Sequence, residues 1–241
     1  MLFDDENFVE ATSLTKEQYQ GFLQELEKIP TPKAPISGQA ARLCIEFMED
    51  TGCRVNETIH VRKKDIDWDT RILTVTQPKS EKECKCSRWM YRDQYTRIRV
   101  LEASDPNCVI CHGKGKWKKP QKTTITPRLI PKLLEYCGKM NEDGLLFPVS
   151  RQRLFKWSKK AGENAGLRIF QDKEEKTIKG VFLHLFRALC SKRMKVDAQN
   201  DPHVDELIAK KLRHAVTFVT QRYTKIDLNY LLNWEAKTYQ L

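Results

Sequence analysis

The stretch His184-Leu185-Phe186-Arg187, together with Leu212-Arg213-His214 and with Tyr223 nine positions after that histidine, decides how this chain is interpreted. It arranges two histidines, an arginine and a tyrosine that could surround one phosphate group. The sequence contains neither a metal-binding carboxylate cluster nor a glycine-rich nucleotide loop beside these residues. The pattern therefore indicates chemistry at a phosphate carried out by side chains.

A tyrosine hydroxyl can attack a phosphodiester if neighbouring groups neutralise the charge that builds up on the non-bridging oxygens. Arginine does this best, because its planar guanidinium is always charged and donates two parallel hydrogen bonds. Arg187 is one such residue. A second, Arg54, lies in Thr51-Gly52-Cys53-Arg54-Val55-Asn56-Glu57, where a glycine turn follows an amphipathic helix. We expect the Glu57 carboxylate to orient Arg54.

These segments resemble the catalytic domain of the tyrosine recombinase, or phage integrase, family over roughly residues 36 to 228. The family pattern reads thr-gly-x-arg-x-x-glu, then his-x-x-arg, then leu-gly-his and a tyrosine nine residues later. The combined set carries the resemblance, because a lone his-x-x-arg arises easily by chance in a chain with 43 lysines and arginines. The matching residues occur in the same order: Arg54, Glu57, His184, Arg187, His214 and Tyr223.

The resemblance implies an α+β fold that is mostly helical, with a small antiparallel sheet. We expect an N-terminal helix and linker over residues 1–36 and a catalytic domain over 37–241 that contains an insertion at 80–121. The implied function is a site-specific recombinase or integrase that cleaves and rejoins DNA strands through a 3′-phosphotyrosyl intermediate, without ATP or a catalytic metal. Two alternatives are a type IB topoisomerase-like enzyme that relaxes one duplex and a catalytically inert DNA-binding relative. In a structural interpretation the same residues would be ordinary core and surface side chains.

The resemblance also implies a role for each matching residue. Arg54 and Arg187 would clamp the scissile phosphate, and His214 would donate a further hydrogen bond to it. Tyr223 would attack in line to leave a free 5′ hydroxyl, and His184 would assist proton movement at the tyrosine.

A general-acid lysine is expected between two predicted strands. Residues 71–77 alternate as a strand does, and residues 122–126 are typical of a short return strand. In the resembling family, the turn that joins these strands carries a lysine that protonates the leaving 5′ oxygen. Lys79 is the best match, and Lys82 and Lys122 are the alternatives, because the insertion leaves the register of the turn open.

Two positions depart from the family pattern. Ala188 stands where a histidine or lysine is common, and Arg213 stands where glycine usually precedes His214. Arg213 would place an extra charge beside the phosphate, which either helps binding or distorts the turn.

Four of the eight cysteines form two close pairs within the insertion, Cys84-Lys85-Cys86 and Cys108-Val109-Ile110-Cys111, with 21 residues between the pairs. This layout is typical of a tetrahedral zinc site with four thiolate ligands, and structural Zn²⁺ would staple a long loop that lacks a core. His112 could replace one ligand, and disulfides or redox thiols are the competing interpretation. The other cysteines are predicted to be small core side chains: Cys44, Cys53, Cys137 and Cys190.

The formal net charge of +11 is unevenly distributed. Residues 1–33 hold seven acidic and three basic side chains, which leaves +15 on the remainder. Between Thr76 and Arg128, thirteen basic and five acidic residues are interleaved with aromatic ones. A basic surface of this kind favours binding to the phosphate backbone of double-stranded DNA, and a merely solvated basic face is the alternative. We expect the insertion to touch DNA as well.

No stretch of 18 apolar residues exists, and the acidic residues of Met1 to Glu10 are unlike a secretory signal, so we expect a cytoplasmic, DNA-associated protein without a membrane partner. Family members usually carry a helical DNA-clamping domain before the catalytic domain, whereas about 35 residues precede Ser37 here. Either the sequence is a catalytic domain alone, or it is a minimal recombinase that closes around DNA by its insertion or by self-association, such as a tetramer. The segment after Tyr223 could dock on a neighbouring protomer or on its own core.

Capping residues and apolar periodicity predict several helices. They are expected within Leu14–Ile29, after Ser37, from Thr126-Pro127, after Ser150 to near Gly166, and from Asp201-Pro202 to His214.

Overall fold

The computed structural model describes residues 8–9, 14–76, 81–91, 99–170, 178–179, 183–198, 201–213 and 228–239. The chain forms two compact units, a larger one of residues 1–74 and 122–241 and a smaller one of residues 75–121. Within the described ranges, no helix is both long and apolar enough to cross a lipid bilayer.

Helices dominate the larger unit. They are α1 (Lys16–Lys28), α2 (Gly38–Thr51), α3 (Val55–Thr58), α4 (Ile130–Cys137), α5 (Arg151–Asn164), α6 (His184–Asp197), α7 (Val204–Lys211) and α8 (Leu228–Thr238). The predicted caps are confirmed at Ser37 and Ser150, whose hydroxyls accept hydrogen bonds from backbone N–H groups three residues on, at 3.1 and 3.3 Å. Satisfying these otherwise unpaired N–H groups starts α2 and α5 where the sequence predicted.

Two predicted helix boundaries were wrong. Helix α4 begins at Ile130 rather than at Thr126-Pro127, because Thr126 is held by a distant carboxylate: its N–H donates to Asp50 Oδ2 at 2.9 Å, and its hydroxyl also donates to Asp50. Helix α7 ends at Lys211, and the chain leaves it through a left-handed residue at Arg213, with φ 56°.

The core of the larger unit surrounds α2, whose predicted apolar face is buried. Helices α1 and α6 pack against it, and the Phe22 and Phe186 rings lie 5.4 Å apart. Helix α8 docks on its own chain: Leu231 is fully buried in a cluster that includes Cys190 and Leu207. The four cysteines predicted to be core side chains are all buried.

Two small sheets belong mainly to the larger unit. One has the order β2 (Ile66–Asp67), β3 (Ile72–Val75), β8 (Gln121–Thr124), so the two predicted strands are neighbours in it. The other has the order β1 (Phe8–Val9), β9 (Arg168–Phe170), β10 (Ile178–Lys179), with β1 parallel to β9.

The smaller unit contains two antiparallel strand pairs. Strand β4 (Lys82–Glu83) pairs with β7 (Lys116–Trp117), and β5 (Ser87–Tyr91) pairs with β6 (Arg99–Ser104). Sequence analysis did not predict the β5–β6 hairpin, because its strands lack a continuous apolar face that would mark them.

Candidate active site and candidate metal centre

A glycine turn at the end of α2 positions the first arginine of the candidate active site. Gly52 is the C-cap of α2 in a left-handed conformation with φ 63°, and a Cβ at this position would collide with the Leu212 side chain. Only glycine combines this backbone conformation with such close packing. The turn brings Arg54 to the start of α3.

Glu57 holds two arginines with one buried carboxylate. Its Oε1 accepts a hydrogen bond from Arg54 Nη1 at 3.0 Å, and its Oε2 accepts one from the Arg54 backbone N–H at 2.8 Å. Arg213 Nη2 donates to the same Oε2 at 2.6 Å. The Glu57 side chain is 1% exposed, whereas that of Arg54 is 31% exposed. Arg54 is therefore oriented from the protein side and open to a ligand.

Arg187 lies in the first turn of α6 and is buried. Its Nη1 donates to the carbonyl oxygen of Gly52 and its Nη2 to that of Leu212, so it ties the ends of α2 and α7 together. Burial, together with the positive charges of Arg54 and Arg213, lowers the pKa of Arg187 to about 10, against the attraction of Glu57.

Arg213, which departs from the family pattern, has a buried side chain. It is 3% exposed. In the described part of the chain, its Nε and Nη1 have no hydrogen-bond partner. Burial opposes its charge, but Cys53 and Glu57 outweigh burial and raise the pKa of Arg213. The sequence predicted an extra charge at this position, but its pairing with Glu57 was not predicted.

The structure thus brings together four residues, which we call the arginine cluster: Arg54, Glu57, Arg187 and Arg213. Among the other predicted site residues, His184 is the first residue of α6 and is exposed, and Lys122 is exposed on β8. Lys82 is exposed on β4 of the smaller unit. Three predicted site residues lie outside the described residues: Lys79, His214 and Tyr223.

A second set of charged side chains, whose carboxylates are buried, also lies in the larger unit. It consists of Arg128, Arg193 and Lys211 with Glu49, Asp50 and Glu235, and we call it the balanced network. Arg193 pairs with Glu49 and lies 3.8 Å from Asp50. Lys211 Nζ donates to Glu235 Oε1 at 2.5 Å and to the carbonyl oxygen of Thr124 at 3.0 Å. Each carboxylate in this set faces a cation.

The candidate metal centre of the smaller unit consists of Cys84, Cys86, Cys108 and Cys111, whose sulfur atoms all lie within 4.8 Å of one another. The Sγ atoms of Cys84 and Cys108 are 3.6 Å apart, and those of Cys86 and Cys111 are 3.3 Å apart. These distances exceed a disulfide bond of about 2.05 Å. Both are shorter than the separation of roughly 3.8 Å that tetrahedral Zn–S bonds of about 2.3 Å require, and the other separations extend to no more than 4.8 Å.

Backbone geometry at the second cysteine pair suits a metal-binding knuckle. His112 N–H donates to the carbonyl oxygen of Cys108 at 2.8 Å, which folds the pair into a tight turn. The backbone N–H groups of Cys111 and Ile110 lower the pKa of Cys108 to about 7, whereas burial and the Cys111 thiol raise the pKa of Cys86 to about 12, so the thiolate is favoured at Cys108 and not at Cys86. His112 is exposed and does not belong to the group of four.

Three solved structures are similar to this chain. A Tn1549 transposon integrase in complex with circular intermediate DNA matches with a TM-score of 0.50 and 13% identity, covering 95% of this chain and 65% of that one. An XerH site-specific recombinase bound to difH substrate matches with a TM-score of 0.49 and 20% identity, covering 92% and 53%. An XerA recombinase gives 0.46 and 16%, covering 95% and 65%. The chain thus spans about half to two thirds of the length of these structures.

No protein in the set of curated proteins matches the sequence. The model of the phage integrase family matches residues 12–229, which is most of the chain. The structure has the mostly helical α+β fold with small sheets that the sequence predicted. The chain belongs to the phage integrase family.

Proposed function

We propose that the protein is a site-specific DNA recombinase or integrase that cleaves and rejoins DNA strands through a 3′-phosphotyrosyl intermediate. The observation that carries this proposal is the arginine cluster, in which two guanidinium groups bond to one carboxylate and a third, that of Arg187, lies near enough for their charges to act on it, in a chain of the phage integrase family. Such an excess of buried and half-buried positive charge is stabilised by an anion, and DNA supplies one in every phosphodiester.

The cluster would hold the scissile phosphate from two sides. Arg54 offers an exposed guanidinium that Glu57 already orients, so little freedom is lost when it binds a non-bridging oxygen. Arg187 would add positive charge from the buried side of the site, where it bonds to the ends of α2 and α7. These donors would stabilise the additional negative charge that develops on the phosphate as the nucleophile attacks.

The reaction would be a transesterification. The Tyr223 oxygen bonds to phosphorus as the bond to the 5′ oxygen breaks, which leaves a 3′-phosphotyrosyl link and a free 5′ hydroxyl. His184 would take up the tyrosine proton, His214 would donate a hydrogen bond to the phosphate, and Lys79 would protonate the leaving oxygen. Because the phosphodiester energy is retained in the link, the 5′ hydroxyl of a second strand can reverse the reaction without ATP.

The test is a covalent trap. Wild-type protein would be incubated with a library of nicked duplexes in a magnesium-free buffer, and DNA that stays attached after SDS would be recovered. Wild type should yield adducts, Tyr223→Phe should yield none, and the control Tyr230→Phe, on α8, should match wild type. Adducts with Tyr223→Phe would refute the proposed nucleophile. Products that join strands of two duplexes would separate a recombinase from an enzyme that only relaxes one duplex.

We further propose that Cys84, Cys86, Cys108 and Cys111 hold a structural Zn²⁺. The support is the sulfur geometry, and the ion would cross-link the two cysteine pairs without taking part in catalysis. Purified protein should contain about one zinc per chain. Cys108→Ser should lose it, and the control Cys44→Ser, which alters a buried cysteine of α2, should keep it. Zinc retained by Cys108→Ser at the wild-type level would contradict the site.

The basic character of residues 75–121 supports a role for the smaller unit in DNA binding. This range has eleven basic and five acidic residues, and Lys116 lies over the Trp89 ring at 4.4 Å. We propose that double-stranded DNA is the partner of both units and that the protein self-associates on it, with a tetramer as the expected form.

A further inference from the structure

We infer that Arg213 is a positioning residue that sets the charge of the phosphate site: by pairing with Glu57, it leaves the charge of Arg54 available to the scissile phosphate. The inference rests on the proposed function of the arginine cluster. It concerns a residue that departs from the family pattern, in which glycine precedes the second histidine.

The Glu57 carboxylate makes a shorter contact with Arg213 than with the Arg54 side chain. Arg213 Nη2 approaches Oε2 at 2.6 Å, whereas Arg54 Nη1 approaches Oε1 at 3.0 Å. Arg213 and Glu57 are both almost completely buried, while about a third of the Arg54 side chain is exposed. The buried arginine is therefore the closer partner of the carboxylate, and the exposed arginine keeps donors for a ligand.

Arg213 determines the net charge of the arginine cluster. Three arginines and one glutamate leave two net positive charges in the cluster, and removing Arg213 would leave one. A phosphodiester carries one negative charge, and a second develops on it during attack. The cluster with Arg213 therefore matches the charge of the transition state, whereas the cluster without it would match only the ground state. Arg213 should affect the chemical step more than DNA affinity.

The backbone conformation does not favour an arginine at this position. Its φ of 56° lies in the left-handed region, which is unfavourable for a residue with a side chain. Glycine would avoid this cost but would lose the ion pair with Glu57. The pairing with Glu57 is therefore what the arginine adds.

The first variant is Arg213→Gly, which suits the backbone and removes the charge. It should still fold, because glycine suits the backbone and Glu57 keeps its ion pair with Arg54. At saturating DNA, its rate of adduct formation should fall by about tenfold or more. The matched control is Lys210→Gln, which removes one positive charge from the last turn of α7, the helix that precedes Arg213, and it should keep the wild-type rate.

A charge-restoring double variant separates this role from a structural one. Arg213→Gly with Glu57→Gln returns the cluster to two net positive charges, so it should form adducts faster than Arg213→Gly alone. Arg213→Lys, which keeps the charge, should also lie above Arg213→Gly. If Arg213 only supports the fold, the double variant will be slower than the single one, and that result would overturn the inference.

Inorganic phosphate provides a readout that does not need DNA cleavage. Phosphate should raise the melting temperature of wild type more than that of Arg213→Gly, and the double variant should recover part of the difference. Should wild type form no adduct while this pattern holds, the proposed nucleophile fails and the charge-setting role stands. Equal phosphate stabilisation of wild type and Arg213→Gly, together with equal adduct rates, would refute the role of Arg213.

Discussion

The balanced network and the arginine cluster are two charge assemblies that share buried carboxylates but differ in net charge. The six residues of the balanced network comprise three cations and three carboxylates, so their formal charges sum to zero. In the part of the chain that the structure describes, the arginine cluster has three arginines and the single carboxylate of Glu57, so the formal charge of these four residues is +2. Buried charges that only support a fold need partners, because an unpaired one costs several kcal/mol. The excess charge supports the proposal that the arginine cluster binds an anionic ligand.

The two assemblies also differ in the pKa shift of one member of each. In the balanced network, burial raises the pKa of Asp50, but Lys211, Arg193 and Arg128 outweigh burial and lower it. In the arginine cluster, burial and two neighbouring arginines act together to lower the pKa of Arg187 to about 10. The fold thus favours the charged form of Asp50 and disfavours the charged form of Arg187.

The largest effect is expected from breaking the balanced network at Lys211. Lys211→Met leaves the buried Glu235 without its cation, so the free energy of unfolding should fall by about 3–5 kcal/mol. Urea denaturation measures this loss. The double variant Lys211→Met, Glu235→Leu removes both charges and should recover much of the stability. If Lys211→Met lost less than about 1 kcal/mol, the Lys211–Glu235 pair would not stabilise the fold as proposed.

A smaller effect, on activity rather than stability, is expected at Arg54. Arg54→Met should slow adduct formation by about 10²–10³-fold, as removal of one oxyanion donor does. The free energy of unfolding should change by less than about 1 kcal/mol, because the side chain is partly exposed and Glu57 keeps Arg213.

The control for Arg54 is Arg128→Met, which removes an arginine of similar exposure from the balanced network. It should reduce stability and leave the rate of adduct formation at saturating DNA unchanged. If Arg54→Met reduced stability and Arg128→Met slowed adduct formation, the distinction between the two assemblies would be contradicted.

The smallest effect is a change in how much the free energy of unfolding falls as the pH is lowered. The pKa of Asp50 is lower in the folded protein than in the unfolded chain, so its contribution is present above the unfolded pKa of about 3.9 and is lost as the pH falls through the folded value. Asp50→Asn should therefore be less stable at pH 7 and should lose less stability on acidification. Denaturation midpoints between pH 7 and pH 2 measure the difference, with Asp205→Asn, on α7, as the control. If Asp50→Asn lost as much stability on acidification as wild type does, this role of Asp50 would be contradicted.

Local features of the sequence predicted local structure well. The caps at Ser37 and Ser150 depend on residues within one helical turn. The four cysteines that meet in the smaller unit come from two short motifs whose spacing already implies a shared site. Such features need no knowledge of the fold.

Features that depend on distant contacts could not be predicted. The start of α4 was wrong because Thr126 bonds to Asp50, which lies 76 positions earlier. The burial of Arg213 against Glu57 joins residues 156 positions apart, and no local pattern reports it. The sequence named the arginines of the site, but the fold determines which of them share a carboxylate.

The most direct test of the central claim is to identify the residue that carries DNA in the trapped adduct. Protease digestion and mass spectrometry of the adduct should find a nucleotide linked through its 3′ phosphate to Tyr223, and the released strand should carry a 5′ hydroxyl. A link to another residue, a 5′-phosphotyrosyl link, or no adduct with any nicked duplex would contradict the proposed function.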